Sequence, residues 1–126
     1  MNSGVFSKDM SLGKQGEAFA ASYLKGLKYK IIQTNYRCRC GEIDIIARDG
    51  SVLVFVEVKA RRGTSYGPPQ LSVTAFKQRQ ISKAALTYLS QNKQLEVPAR
   101  FDVIALVLRN GEPVVNHIKD AFELAY

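Results

Sequence analysis

The chain has 126 residues, a formal net charge of +7 and a hydrophobic content of 46%, with an isoelectric point near 9.6. That length and balance fit one folded domain with a real core and exclude a disordered or fibrous chain. The apolar runs are strand-sized, which excludes a bilayer-spanning helix, and the basic surplus favours a polyanionic partner, nucleic acid before membrane.

Met1 to Met10 holds Lys8 and Asp9 and no apolar run. It reads as a flexible leading segment of a single domain spanning 1–126, not as a signal peptide. A cytoplasmic protein is the expectation. Ser11 can cap a helix that runs to about Lys25, with Gly26 as its stop. Gly16, Phe19, Ala20, Tyr23, Leu24 and Leu27 recur at helical spacing and form its buried stripe. Glu17 sits at the margin of that stripe. It reads equally as a first-turn acid favoured by the helix dipole or as a carboxylate pointed at the sheet.

Tyr29 to Tyr36 reads as a first strand, with Ile32, Thr34, Tyr36 and Cys38 alternating. Cys38 and Cys40 are the only cysteines. A closed zinc site wants four ligands, and the lone His117 does not complete one. The two thiols read as reduced residues beside the hairpin that follows.

That hairpin spans Gly41 to Lys59, with Asp49-Gly50 between two strand-like runs. An Asp-Gly pair in this setting predicts a type I′ turn. Arg48 then pairs with Ser51, Phe55 faces Asp44, and Glu57 faces Glu42. Asp44, Glu57 and Lys59 fall on one face, the two acids as diagonal neighbours roughly 7–8 Å apart at the backbone. Val52, Val54, Val56 and Val58 fill the other face with Ile43, Ile45 and Ala47. Leu53 and Phe55 cover most of the acids' face, and a buried carboxylate without a partner is costly. The charges also gather at one end. This pattern points to a site more than to a wet face carrying an ion pair.

Ala60 to Gln70 reads as a basic loop by its Gly and Pro content, with Arg61 and Arg62 placed to hold phosphates. Ser72 or Thr74 opens a second helix to about Gln91, with Ile81, Ala84, Ala85, Tyr88 and Leu89 as its buried stripe. Lys77 lies on that stripe one turn upstream and can reach toward the acids. Phe101 to Leu108 is apolar on both alternations and reads as a central strand, with Asp102 as its one acid, near Arg100. Asn110-Gly111 turns the chain into a short last strand, Val114 to Ile118.

An Asp before a Glu-X-Lys triplet across a hairpin, with an acid from the preceding helix, resembles the PD-(D/E)XK nuclease superfamily. Here those residues are Asp44, Glu57-Val58-Lys59 and Glu17. Within it the chain resembles the UPF0102 (YraN-like) family. The likeness runs through Gly13-Lys14-Gln15-Gly16-Glu17, Asn35-Tyr36-Arg37, Gly41-Glu42-Ile43-Asp44, Phe55 to Arg61 and Arg100 to Val103. In layout it is also similar to archaeal Holliday-junction resolvases. Ile43 stands where the superfamily pattern has Pro.

The resemblance implies an α/β fold: a restriction-endonuclease-like core whose mixed sheet of about five strands is flanked by helices. It implies Mg²⁺-dependent phosphodiester hydrolysis of DNA, with Mn²⁺ able to substitute, and the resolvase likeness extends this to junction DNA and a homodimer. Asp44, Glu57 and the Val58 backbone carbonyl would hold the metal. Lys59 would orient the attacking water, and Glu17 would act through water. Arg61, Arg62 and Lys77 would contact flanking phosphates. The rival readings are a nucleic-acid-binding module without catalysis and a nuclease directed at RNA.

Overall fold

A computed structural model describes residues 11–63 and 73–125. The elements are α1 (Leu12–Gly26), β1 (Lys30–Cys38), β2 (Gly41–Asp49), β3 (Val52–Arg62), α2 (Ala75–Gln91), β4 (Ala99–Arg109) and β5 (Glu112–Phe122). The strands form one sheet in sequence order. The first three are an antiparallel meander, β3 and β4 run parallel, and β4 and β5 are antiparallel. A parallel pair needs a crossover, and α2 supplies it. This is the expected α/β architecture, consistent with a restriction-endonuclease-like core.

Two apolar clusters hold the layers together. On one face Ala20 and Leu24 of α1 pack with Ile45, Val54, Val56, Ile104 and Leu106. On the other, Ile81, Ala84, Ala85, Tyr88 and Leu89 of α2 pack with Ile46, Leu53, Phe55 and Phe101. The α2 stripe is the expected one. Ser11 caps α1 and Thr74 caps α2, each side chain accepting from the backbone N–H three residues on. Ser72 lies outside the described residues, as does the leading segment 1–10.

The end of α1 differs from expectation. Gly26 is helical, and the left-handed residue beyond the cap is Lys28, at φ 74°. Lys28 N–H bonds the Lys25 carbonyl and Tyr29 N–H bonds the Leu24 carbonyl, both at 3.0 Å. This pairing is a Schellman motif. Tyr29 and Leu24 share a core cluster, so apolar contact fixes the stop where no glycine marks it. Leu27, expected inside, is 45% exposed.

The hairpin register differs by two residues. Asp49 pairs with Val52 and Ile45 with Val56, so the turn is Gly50-Ser51. Gly50 takes φ 62° at the first central position, as a type II′ turn requires, and Asp49 stays in the ladder. A shift of two preserves side-chain parity, so the predicted faces survive except for Ile43, expected with Ile45 and Ala47 but found on the opposite face. Extending the register by one step sets Asp44 opposite Glu57, not diagonal to it. The alternation breaks once: Ile43 packs with the α2-side cluster and Ile45 with the α1-side cluster. The break falls at Asp44. Across from it, Asn35 of β1 takes φ 54°.

Two expected boundaries also move. Ala60, Arg61 and Arg62 continue β3, because Leu106, Val107 and Leu108 of β4 extend the parallel ladder beside them. Thr64 to Gln70 of the expected loop lies outside the described residues. The Asn110-Gly111 turn is present, with both residues at positive φ, but β5 runs on to Phe122.

Asp102 explains part of that length. It is fully buried on β4 and accepts from Arg100 Nε at 3.0 Å and from the Asp120 backbone N–H at 3.0 Å. Its other oxygen lies 2.8 Å from His117 Nε2. Asp120 sits at φ 52° where the β4–β5 register slips, so the carboxylate takes a hydrogen bond that the ladder misses. Arg100 continues the network to Asp49 and to the Tyr29 hydroxyl. Burial alone would raise the Asp102 pKa, but the bonds from His117, Arg100 and Asp120 outweigh it and hold it below the ordinary carboxylate value. Asp102→Ala should therefore cost about 3–5 kcal/mol in denaturant unfolding at neutral pH, by removing the buried carboxylate that pairs with Arg100, His117 and the Asp120 N–H and leaving Arg100 only the half-exposed Asp49 as a charge partner. A depressed pKa gives stability that is present above the unfolded-state value and fades as pH falls through the folded one, so the deficit should shrink in acid. A variant within 1 kcal/mol of wild type at pH 7, on the scale of about 1 kcal/mol typical of point substitutions, would contradict this network's role.

Candidate active site

The site forms where β2 and β3 separate. Their pairing runs from the turn to Ile45 and Val56, and the next two positions are Asp44 and Glu57. In place of a further ladder bond, the Val58 N–H donates to Asp44 Oδ2 at 2.8 Å. A strand residue points its N–H and its C=O to the same side, so the Val58 carbonyl also turns toward Asp44. Asp44 and Glu57 are 8% and 4% exposed. Burial disfavours a charge on either, and the Asp44 charge disfavours a second one on Glu57.

The surrounding charges respond to this pair. Lys59 Nζ lies 3.6 Å from Glu57 Oε2, and Lys77 Nζ, in the first turn of α2, lies 3.8 Å from the same oxygen. Burial first, then the Asp44 charge, pushes Glu57 up to about 7 against the pull of Lys77 and Lys59. Asp44 is raised as well, by burial, with the Val58 N–H opposing. Glu17 is part-buried on the second turn of α1, and burial and then Asp44 raise it too, with an Asn35 side-chain hydrogen bond opposing. The Asp44 charge thus disfavours a charge on an acid from each of two other elements, Glu17 and Glu57.

α1 comes close enough to deliver Glu17 because Gly16 has no side chain. A Cβ there would lie 2.8 Å from the Ala60 Cβ on β3. Asn35, part of the family likeness but not expected at the site, bonds Glu17. Its left-handed backbone and its reach to Glu17 match a habit of Asn, which tolerates positive φ. An Asn inside an otherwise strand-like run was the available signal. Glu42 is a second such residue, since its charge raises both Glu17 and Asp44.

The expected phosphate contacts are placed unevenly. Lys77 reaches the acids. By strand alternation Arg61 falls on the face of Glu57 and Lys59, while Arg62 falls with Val58 and Ala60. Arg61 and Arg62 border a shallow surface with Leu12.

Among the described residues no group of three or more His, Cys, Asp or Glu side chains comes together as a metal site. A cation at Asp44 and Glu57 would take two carboxylates, the Val58 carbonyl and water. That donor set suits Mg²⁺, which binds few protein oxygens and keeps waters. It does not suit a structural zinc site with four protein ligands.

The family model described as "Uncharacterised protein family UPF0102" matches residues 16–106. The chain belongs to the UPF0102 family. A UPF0102 protein of Geotalea uraniireducens is 65% identical over 117 residues, covering 92% of each chain. One of Geobacter metallireducens is 60% identical, covering 92% of this chain and 95% of its own. One of Syntrophus aciditrophicus is 52% identical, covering 95% of this chain and 94% of its own. The matched span holds Glu17, Asp44, Glu57 and Lys59. None of the described helices is long and apolar enough to cross a membrane.

The raised Glu57 pKa has a measurable consequence. A group whose folded pKa exceeds its unfolded value gives stability that is full below the unfolded value and is lost as pH rises through the folded one. In the presence of a chelator, the melting temperature should fall as pH rises from about 4.5 through about 7. Glu57→Gln cannot ionise, and should flatten that slope. A chelated wild type whose melting temperature follows the same slope across this window as that of the variant would contradict the raised Glu57 pKa.

Proposed function

We propose that the protein is a metal-dependent endonuclease that hydrolyses phosphodiester bonds of DNA in the cytoplasm, with branched or junction DNA as the favoured substrate. The observation that carries this reading is the buried Asp44–Glu57 carboxyl pair with two lysines on Glu57. A bound divalent cation would be the largest local charge at such a pair and would favour both carboxylates in their ionised form. Their order in the chain, helix acid, hairpin Asp, then Glu-X-Lys, resembles the PD-(D/E)XK nucleases.

Asp44, Glu57 and the Val58 carbonyl would hold Mg²⁺, with Mn²⁺ as a substitute. Bound there, the ion would polarise the phosphate and lower the pKa of a coordinated water. Lys59, beside Glu57, orients the water and offsets negative charge as it grows on the phosphoryl oxygens. Glu17, steered by Asn35, orients water from the α1 side. Lys77, beside Glu57 at the start of α2, would contact a phosphate of the bound strand. Arg61 and Arg62 continue the phosphate contacts along β3. A homodimer would offer two such sites to the two strands of a junction. The net charge of +7 supports a polyanionic substrate.

The test is cleavage of a four-way junction, a matched linear duplex and a matched RNA in Mg²⁺ and in Mn²⁺. Wild type should cut DNA, and the junction fastest. Glu57→Ala and Lys59→Ala should each lower the rate at least about a hundredfold, the scale seen when one transition-state contact is removed. Both variants should still bind DNA in Ca²⁺, because phosphate contacts elsewhere supply affinity. Cleavage at equal rates by wild type and both variants would assign the activity to a contaminant or another site. Binding without cleavage in either metal would favour the non-catalytic reading, and cutting of RNA alone would redirect the proposal to RNA.

A further inference from the structure

The β1–β2 turn carries chemistry that the proposed reaction does not use. Cys38 closes β1 and Cys40 stands in the turn, and their sulfur atoms are 3.2 Å apart. Both are free thiols, and both are only partly buried. Cys40 Sγ also lies 3.5 Å from Thr87 Oγ1 on α2, and that hydroxyl is 2.9 Å from the Lys83 carbonyl. The Thr87 proton can serve either the carbonyl or the sulfur.

This setting makes one sulfur the more reactive. Hydrogen bonds from Thr87 and then from Cys38 hold the Cys40 thiol below its ordinary range, and the Lys83 ammonium adds to them. The thiolate is the form that reacts with peroxides, and reactivity follows thiolate character and exposure. A second thiol in contact can then resolve the first oxidation product. A metal account of the pair lacks ligands, since among the described residues no third His, Cys, Asp or Glu joins it.

We propose that Cys38 and Cys40 are an oxidisable dithiol, which a hydroperoxide converts to a disulfide within one chain. The Cys40 thiolate attacks one oxygen of hydrogen peroxide, the O–O bond breaks, and the leaving hydroxide takes up the proton that Cys40 released, giving the first water. Cys40 is now a sulfenic acid. The Cys38 sulfur attacks the Cys40 sulfur, the S–O bond breaks, and water departs with the Cys38 proton. Two thiols lose two electrons and two protons, and one peroxide becomes two waters.

The bond also changes the turn. The sulfur contact of 3.2 Å must shorten to about 2.05 Å. This draws Cys40 out of its contact with Thr87. The same turn borders a shallow groove lined by Arg37, Cys38, Gly41, Glu42, Lys77 and Gln80. Oxidation therefore acts on the wall from which Lys77 reaches Glu57.

The experiment titrates the reduced, full-length chain with hydrogen peroxide and follows intact mass and free thiols. One equivalent should remove both thiols, lower the mass by two hydrogens and leave chains unlinked, and dithiothreitol should restore both. Cys38→Ser should stop at a sulfenic acid on Cys40 that a dimedone probe traps. Thr87→Val should move the pH profile of Cys40 alkylation upward and slow oxidation several-fold. Wild-type products carrying two or three added oxygens, or disulfide-linked chain pairs, would overturn the proposal. So would equal alkylation profiles in wild type and Thr87→Val.

Discussion

Two carboxyl groups forced together under cover are the constraint on which the rest of this structure bears. Asp44 and Glu57 are both less than a tenth exposed. They meet because β2 and β3 stop pairing one residue short of them, and the Val58 N–H turns to Asp44. The surrounding elements converge on that point. α1 brings Glu17 by packing Gly16 against Ala60, and α2 starts with Lys77 aimed at Glu57. The parallel ladder from Leu53 to Arg62 holds β3 rigid beneath it. Such a site stands on strands and helix termini whose positions are fixed by packing, a condition for precise chemistry.

A second buried acid in the same sheet shows what a structural solution looks like. Asp102 is more buried than either site acid, yet its pKa is lowered. Arg100, His117 and the Asp120 N–H supply donors to both of its oxygens. Asp44 and Glu57 have fewer donors, so burial wins and both are raised, Glu57 further by the Asp44 charge. Burial is common to the two places. The sign of the shift separates a satisfied network from one that stays short of positive charge, and the unsatisfied kind is where function is expected.

Much of this was legible in the residues. Alternation placed Asp44, Glu57 and Lys59 on one face, and helical spacing placed Lys77 toward them. Parity is robust, and a two-residue error in the turn left it intact. The turn differs from the expected pair because Asp-Gly and Gly-Ser overlap at Gly50, and only the ladder decides which pair turns. Other features needed tertiary contact. The stop of α1 at Lys28 depends on Tyr29 meeting Leu24. The extension of β3 to Arg62 depends on β4 lying beside it. His117 is the partner of Asp102 across fifteen residues, a pairing that no local pattern encodes.

The proposed function rests on Asp44 and Glu57 holding a divalent cation. The most direct measurement is anomalous scattering from a crystal soaked in Mn²⁺ above pH 7, where Glu57 has lost its proton. The account predicts a peak between the two carboxylates, adjoining the Val58 carbonyl, that Glu57→Gln weakens or removes. A soaked crystal with no peak there, or with Mn²⁺ bound only elsewhere, would contradict it.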